Sequence, residues 1–144
     1  MEKKALYFIA FILMIGLIGC STVKDNIKET KQLRIDPTSV KEEKIVGDHK
    51  IIKIHYKFEN KTDKDFGVAA NDFIIKANGE YYYMGSGINY SDTLKKQEKS
   101  EGDGYYEIPK DVEDFKLMYQ PLTNNERTEW DLKVSKKWLI NYRQ

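Results

Sequence analysis

The stretch Lys50-Ile51-Ile52-Lys53-Ile54-His55-Tyr56-Lys57-Phe58-Glu59 decides the fold. In it Ile52, Ile54, Tyr56 and Phe58 alternate with Lys53, His55, Lys57 and Glu59, a period of two that places apolar groups on one face of a pleated strand and polar groups on the other. One face of this strand needs a core to cover it. No helix-period stripe of useful length follows residue 19, so the helices that parallel βαβ units require are missing and the strands must pair antiparallel.

Upstream, Lys44-Ile45-Val46 before Gly47-Asp48-His49 predicts a strand entering a hairpin turn, where Gly47 supplies a positive φ and the Lys50 strand pairs back. Downstream, Asn60-Lys61-Thr62-Asp63-Lys64-Asp65 is a polar loop. The apolar run Asp72 to Ala77 ends at Asn78-Gly79, a strong hairpin signal, and leads into Glu80-Tyr81-Tyr82-Tyr83-Met84, whose aromatics suit a strand. Gly85 to Gly104, rich in glycine and charge, reads as a long loop entering a strand near Lys99, with Gly102-Asp103-Gly104 as turn chemistry. Tyr105 to Pro109, Phe115 to Tyr119 and Thr128 to Val134 supply further strands, and the tail Lys136 to Gln144 reads as a strand or a short helix. The expectation is an all-β chain: an antiparallel immunoglobulin-like β-sandwich of seven or eight strands after an N-terminal signal helix.

The chain's beginning has a different composition. Met1-Glu2-Lys3-Lys4 carries two lysines, and fifteen uncharged residues follow from Ala5 to Gly19. That order is the order of a secretory signal, and the run is shorter than the about 20 residues a spanning helix needs. Leu17-Ile18-Gly19-Cys20 resembles the lipobox of bacterial lipoproteins, which implies cleavage between Gly19 and Cys20 and lipidation of the Cys20 sulfur. Two acyl chains would hold firmly where one is marginal, at about 0.8 kcal/mol per buried methylene. The expected organisation is a signal peptide over 1–19, a flexible polar tether over 20–30 and a sandwich over 31–144. Localisation follows: the cell membrane, through a lipid anchor, on the extracytoplasmic face.

Removing Glu2, Lys3 and Lys4 with the leader from the 24 basic and 23 acidic residues leaves 22 of each. A balanced body lacks the clustered basic excess that displaces counterions from phosphates, so no nucleic-acid partner is expected. Cys20 is the single cysteine, so no internal disulfide can staple the domain and packing must hold it.

The order of landmarks over Ile51 to Leu132 resembles the telokin-like, immunoglobulin-like domains of uncharacterised bacterial lipoproteins, which are similar to small secreted mycobacterial immunogenic proteins. The residues that carry the likeness are "YKFENKTDKDF", "AANDFIIKANGEYY" and "EGDGYYEIPKDVEDFKLMY". The family's usual Pro-Gly-Glu-like turn before the last of these is replaced by "LKKQEKSEG". The resemblance implies an extracytoplasmic β-sandwich and brings no catalytic residues.

Candidate chemistry is sparse. Nucleophilic catalysis needs a nucleophile within reach of an oriented base, and the two histidines, His49 in a turn and His55 on a polar strand face, read as solvated. They fall short of a zinc set. Asn60, Asp63, Asp65 and Asp72 place oxygens in one region without the spacing of a calcium loop. No catalytic residue, no metal site and no cofactor are therefore assigned. The tyrosines are more informative. On a strand Tyr81 and Tyr83 face one way and Tyr82 the other, so all three cannot be core, and exposed tyrosine is enriched where proteins meet partners. Tyr81, Tyr82, Tyr83 and Tyr90, the last in "GSGINYSD", form the candidate binding surface for a cell-surface protein or envelope polymer. The expected function is a noncatalytic binding or interaction module on a membrane anchor; the alternative is an immunity or exclusion-type protective lipoprotein, ahead of an envelope enzyme.

Overall fold

The computed structural model of the chain describes residues 26–135. The signal segment, Cys20 and the tail Lys136 to Gln144 lie outside the described residues, as does most of the expected tether.

Ten strands run in chain order: β1 Lys28–Glu29, β2 Leu33–Val46, β3 His49–Asn60, β4 Phe66–Ala69, β5 Phe73–Ala77, β6 Glu80–Tyr82, β7 Ser91–Leu94, β8 Lys99–Pro109, β9 Asp114–Tyr119 and β10 Thr128–Lys133. Among the described residues a 3₁₀ turn, Ala70–Asp72, separates β4 from β5. All paired strands are antiparallel. They form one sheet in the order β1-β2-β3-β8, a second in the order β10-β9-β5-β6, and a two-stranded ribbon of β4 and β7.

The alternation that opened the sequence is the alternation of burial. Ile52, Ile54, Tyr56 and Phe58 are fully or almost fully buried, and they meet Phe73, Ile75, Leu117, Tyr119 and Trp130 from the second sheet in one core. Aromatic rings dominate its centre, with Phe73 between Tyr56 at 4.5 Å and Tyr119 at 5.1 Å. Both hairpin turns form as their glycines dictate. Gly47 has φ 60°, and Asn78 and Gly79 have φ 52° and 78°, the pair of positive values a type I′ connection requires.

Several expectations are corrected. The strand before the Gly47 turn begins at Leu33 rather than Lys44, because β2 carries bulges between Pro37 and Ser39 and between Glu42 and Lys44 that break its alternation. Gly102-Asp103-Gly104 is mid-strand in β8, not a turn. There the two glycines face the core, where a Cβ on Gly102 would lie 2.1 Å from the Tyr90 ring and one on Gly104 would lie 2.6 Å from the Tyr106 hydroxyl. These glycines give room to rings. Within the expected tether, Asn26 to Thr30 is already packed: Lys28 and Glu29 pair with Ile35 and Arg34, and the Trp130 indole donates to the Asn26 carbonyl at 2.6 Å.

The two sheets also meet at their sides. At one side the chain leaving β10 bridges to β2, Ser135 to Lys41 in parallel, and the Ser135 amide donates to the Val40 carbonyl. At the other, Met84, just past β6, bridges to Tyr106 of β8. The sandwich therefore has a β2/β10 side and a β8/β6 side.

Candidate functional site

The Asn78-Gly79 turn sets the register of the site. A two-residue loop places Lys76 opposite Tyr81 and Ile75 opposite Tyr82. Because directly opposed residues share a face, Tyr81 joins Lys76 on the outer surface of the second sheet, while Tyr82 follows Ile75 inward and packs against the core. Tyr83 returns outward. Tyr81 and Tyr83 are 48% and 62% exposed, and Met84 beside them is 44% exposed.

The row continues across the sheet. Lys76 opposes Lys116, and Lys116 opposes Asp131. The Lys76 ammonium sits 5.4 Å from the centroid of the Tyr81 ring, a cation on a π face. Lys116 is engaged differently, 2.7 Å from Glu129 and 3.5 Å from Asp131, and the hydrogen bond it donates to Glu129 holds its pKa above the ordinary lysine value. Two residues along, Ile74 and Met118 form a half-buried opposed pair on the same face. The outer face thus grades from tyrosine and aliphatic groups at β6 to carboxylates at β10. Past Met84 the chain follows β8, where Ile88 is 92% exposed. Flat apolar rings with polar tips and one neighbouring cation suit contact with a partner's rings or apolar groups.

Tyr90 does not join this surface. Its ring stacks on Phe58 at 5.1 Å and lies over Gly102, while its backbone amide donates to the Asp103 carbonyl. Burial raises its hydroxyl pKa. The four candidate tyrosines therefore divide into two exposed residues, Tyr81 and Tyr83, and two that serve the core, Tyr82 and Tyr90. Lys76, Met84 and Ile88 complete the surface; of these, Lys76 could have been found by counting back across the Asn-Gly turn.

The other candidate groups are dispersed. His55 projects from the outer face of the first sheet, with Nδ1 2.7 Å from Asp103 and Nε2 3.9 Å from Glu101. Both ring nitrogens face carboxylates of β8. Asn60, fully buried, is a clip: its amide donates to the carbonyls of Lys64, Leu94 and Lys95, and its oxygen accepts from the Thr62 amide and hydroxyl. Asp65 pairs with Lys95 at 3.0 Å, and Asp72 accepts from the Ala69 amide at 2.9 Å. Burial raises the Asp72 carboxyl above its ordinary pKa, partly offset by that hydrogen bond. The oxygens considered for calcium thus serve separate jobs. Among the described residues no group of three or more His, Cys, Asp or Glu is placed to hold a metal ion.

At the β2/β10 side an open cleft of about 860 Å³ lies between the sheets. Its floor includes the buried Val40, Phe115 and Leu132, and its rim includes Asn26 and Ser135, the first and last described residues. Lys133 and Asp114 on the rim are 4.0 Å apart.

No family model matches the sequence, and no curated protein matches it significantly. Solved structures do share its architecture. A candidate lipoprotein of Bacillus subtilis strain 168, YcdA, superposes with a TM-score of 0.62 at 12% identity, over 76% of this chain and 39% of that one. The YjhA protein of Bacillus subtilis gives a TM-score of 0.52 at 16% identity, over 76% and 96%. An uncharacterised β-sandwich protein of Clostridium difficile 630 gives 0.50 at 10% identity, over 77% and 93%. The chain is an antiparallel β-sandwich. At these identities the likeness reaches the fold, and this chain spans well under half of YcdA.

Proposed function

We propose that the protein is a bacterial lipoprotein, lipidated at Cys20 after cleavage behind Gly19, whose sandwich is a noncatalytic binding module at the extracytoplasmic face of the cell membrane. The immunoglobulin-like, telokin-like resemblance of Ile51 to Leu132 and the lipoprotein description of YcdA both support this reading. The observation that carries the binding assignment is the outward pair Tyr81 and Tyr83, exposed beside Met84 on a rigid hairpin with Lys76 against the Tyr81 ring. Large apolar rings placed in solvent cost solubility, and rigid tyrosines are efficient contact groups because they lose little freedom on binding.

The partner is a cell-surface protein or envelope polymer. Capture of each by the purified domain tests the assignment: isolated cell walls in one assay, extracted surface proteins in the other. Tyr81→Ala with Tyr83→Ala should weaken capture roughly tenfold or more, the scale of losing one or two interface hot spots, with no change in melting temperature. Capture equal to that of the natural protein would sink the assignment.

A further inference from the structure

Beside the exposed tyrosines lies a side chain with chemistry of its own. Among the described residues the sulfur atoms are those of Met84 and Met118, and a thioether is open to oxidation wherever an oxidant in water can reach its lone pairs. The two methionines differ in that access. Met118 is on β9, a strand with a neighbour on each side, where it opposes Ile74 of β5 and Glu129 of β10. It is half-buried, and the Gln120 side-chain amide donates toward its sulfur at 4.0 Å.

Met84 comes just past β6, the last strand of the second sheet, and its backbone is held. It bridges to Tyr106, and the Gly85 amide after it donates to the Tyr105 carbonyl at 2.7 Å. The Asn89 side chain pins the chain that follows, its amide donating to the carbonyls of Gly85 and Gly87 while its oxygen accepts from the Tyr105 amide. With the backbone fixed in this way the residue is still 44% exposed, so its side chain is presented to solvent from a braced position next to Tyr83.

We infer that Met84 is an oxidative modification site, and that its sulfoxide turns off the tyrosine surface it borders. The oxidant is a peroxide: a sulfur lone pair attacks one peroxide oxygen, the O–O bond breaks, that oxygen stays on sulfur, and the departing hydroxide takes up a proton and leaves as water. Sulfur loses two electrons and the peroxide gains them. The reaction converts a flexible apolar group, of the kind that adapts to a partner's shape, into a polar and chiral one. A partner that covers Met84 must then desolvate a strong hydrogen-bond acceptor beside Tyr81 and Tyr83, which weakens the contact. The fold is indifferent to the change, because Met84 serves it through its backbone bridge to Tyr106. The loss of binding rests on the binding assignment; the oxidation does not.

The test exposes the full-length protein to dilute hydrogen peroxide and follows oxygen uptake by peptide mass spectrometry. Trypsin leaves the two sulfurs in separate peptides, Ala77 to Lys95 and Leu117 to Arg127. Met84 should gain its oxygen several-fold faster than Met118, with no change in melting temperature; equal rates, or Met118 first, would overturn the site. Hydrophobic-interaction chromatography then reads the surface without a partner. The natural protein should elute earlier once Met84 is oxidised, whereas Met84→Leu should keep its retention through the same treatment, and unchanged retention of the oxidised natural protein would refute the switch. Capture on isolated cell walls and on extracted surface proteins gives the consequence: oxidation should lower capture by the natural protein several-fold, while capture by Met84→Leu, whatever its starting level, should not respond to peroxide. Capture that survives full oxidation of Met84 would also refute the switch. A natural protein that captures nothing before oxidation sinks the binding assignment instead, and the oxidation rates and retention still decide the site.

Discussion

Tyr106 holds two groups that would otherwise be stranded in the core. Its hydroxyl donates to the Ala70 carbonyl at 2.9 Å and so receives the Tyr56 hydroxyl, also at 2.9 Å. Burial pushes both phenols well above their ordinary pKa and keeps them neutral. The two phenylalanine substitutions are therefore unequal. Tyr56→Phe leaves only an unused lone pair and should cost about 1 kcal/mol, whereas Tyr106→Phe strands a donor and a carbonyl and should cost about 2–3 kcal/mol by chemical denaturation. Asp72 gives a second residue-level prediction. Its folded pKa lies above the unfolded one, so the folded state binds the extra proton and stability falls as pH rises through that window, just above the usual Asp range. Asp72→Asn keeps an acceptor for the Ala69 amide and should remove that part of the decline when melting temperature is followed from pH 3 to 6. An identical profile in the variant would contradict the assignment.

At the scale of elements, legibility followed periodicity. β3 was readable because its inward run Ile52, Ile54, Tyr56 and Phe58 is large and apolar, with the buried polar Lys50 and Asn60 only at its ends, and the two hairpins because Gly47 and Asn78-Gly79 supply the positive φ their turns need. β2 was half hidden, since Pro37 and two bulges shift its register and each shift reverses which residues point inward. β8 was misread in its first half for a related reason: glycines that look like turn residues are there to make space for Tyr90 and Tyr106. Gly102→Ala tests that account. Its methyl group would overlap a ring held between β8 and Phe58, so a loss of more than about 2 kcal/mol is expected, far beyond the gain that alanine normally brings to a strand. Of the site, alternation separates Tyr81 and Tyr83 from Tyr82 but leaves open which of them face out, which the pairing of Lys76 with Tyr81 across the Asn78-Gly79 turn decides; Tyr90 was not legible, because no local pattern tells that a loop residue folds back over a strand.

For the whole molecule, the expected order of signal, anchor and sandwich makes one covalent prediction. Cys20→Ala should leave a full-length precursor that incorporates no labelled fatty acid, and normal maturation of that variant would refute the anchor. The meeting of Asn26 and Ser135 at one cleft has a different consequence, for how such a domain can be combined with others. A unit whose entry and exit lie side by side can be set into a loop of a host protein, or joined in series, without either neighbour being forced to span it. It also tolerates rewiring: a short glycine linker from Ser135 to Asn26, with new ends opened at the Gly47-Asp48 turn, should yield a permuted chain that keeps the same sheets.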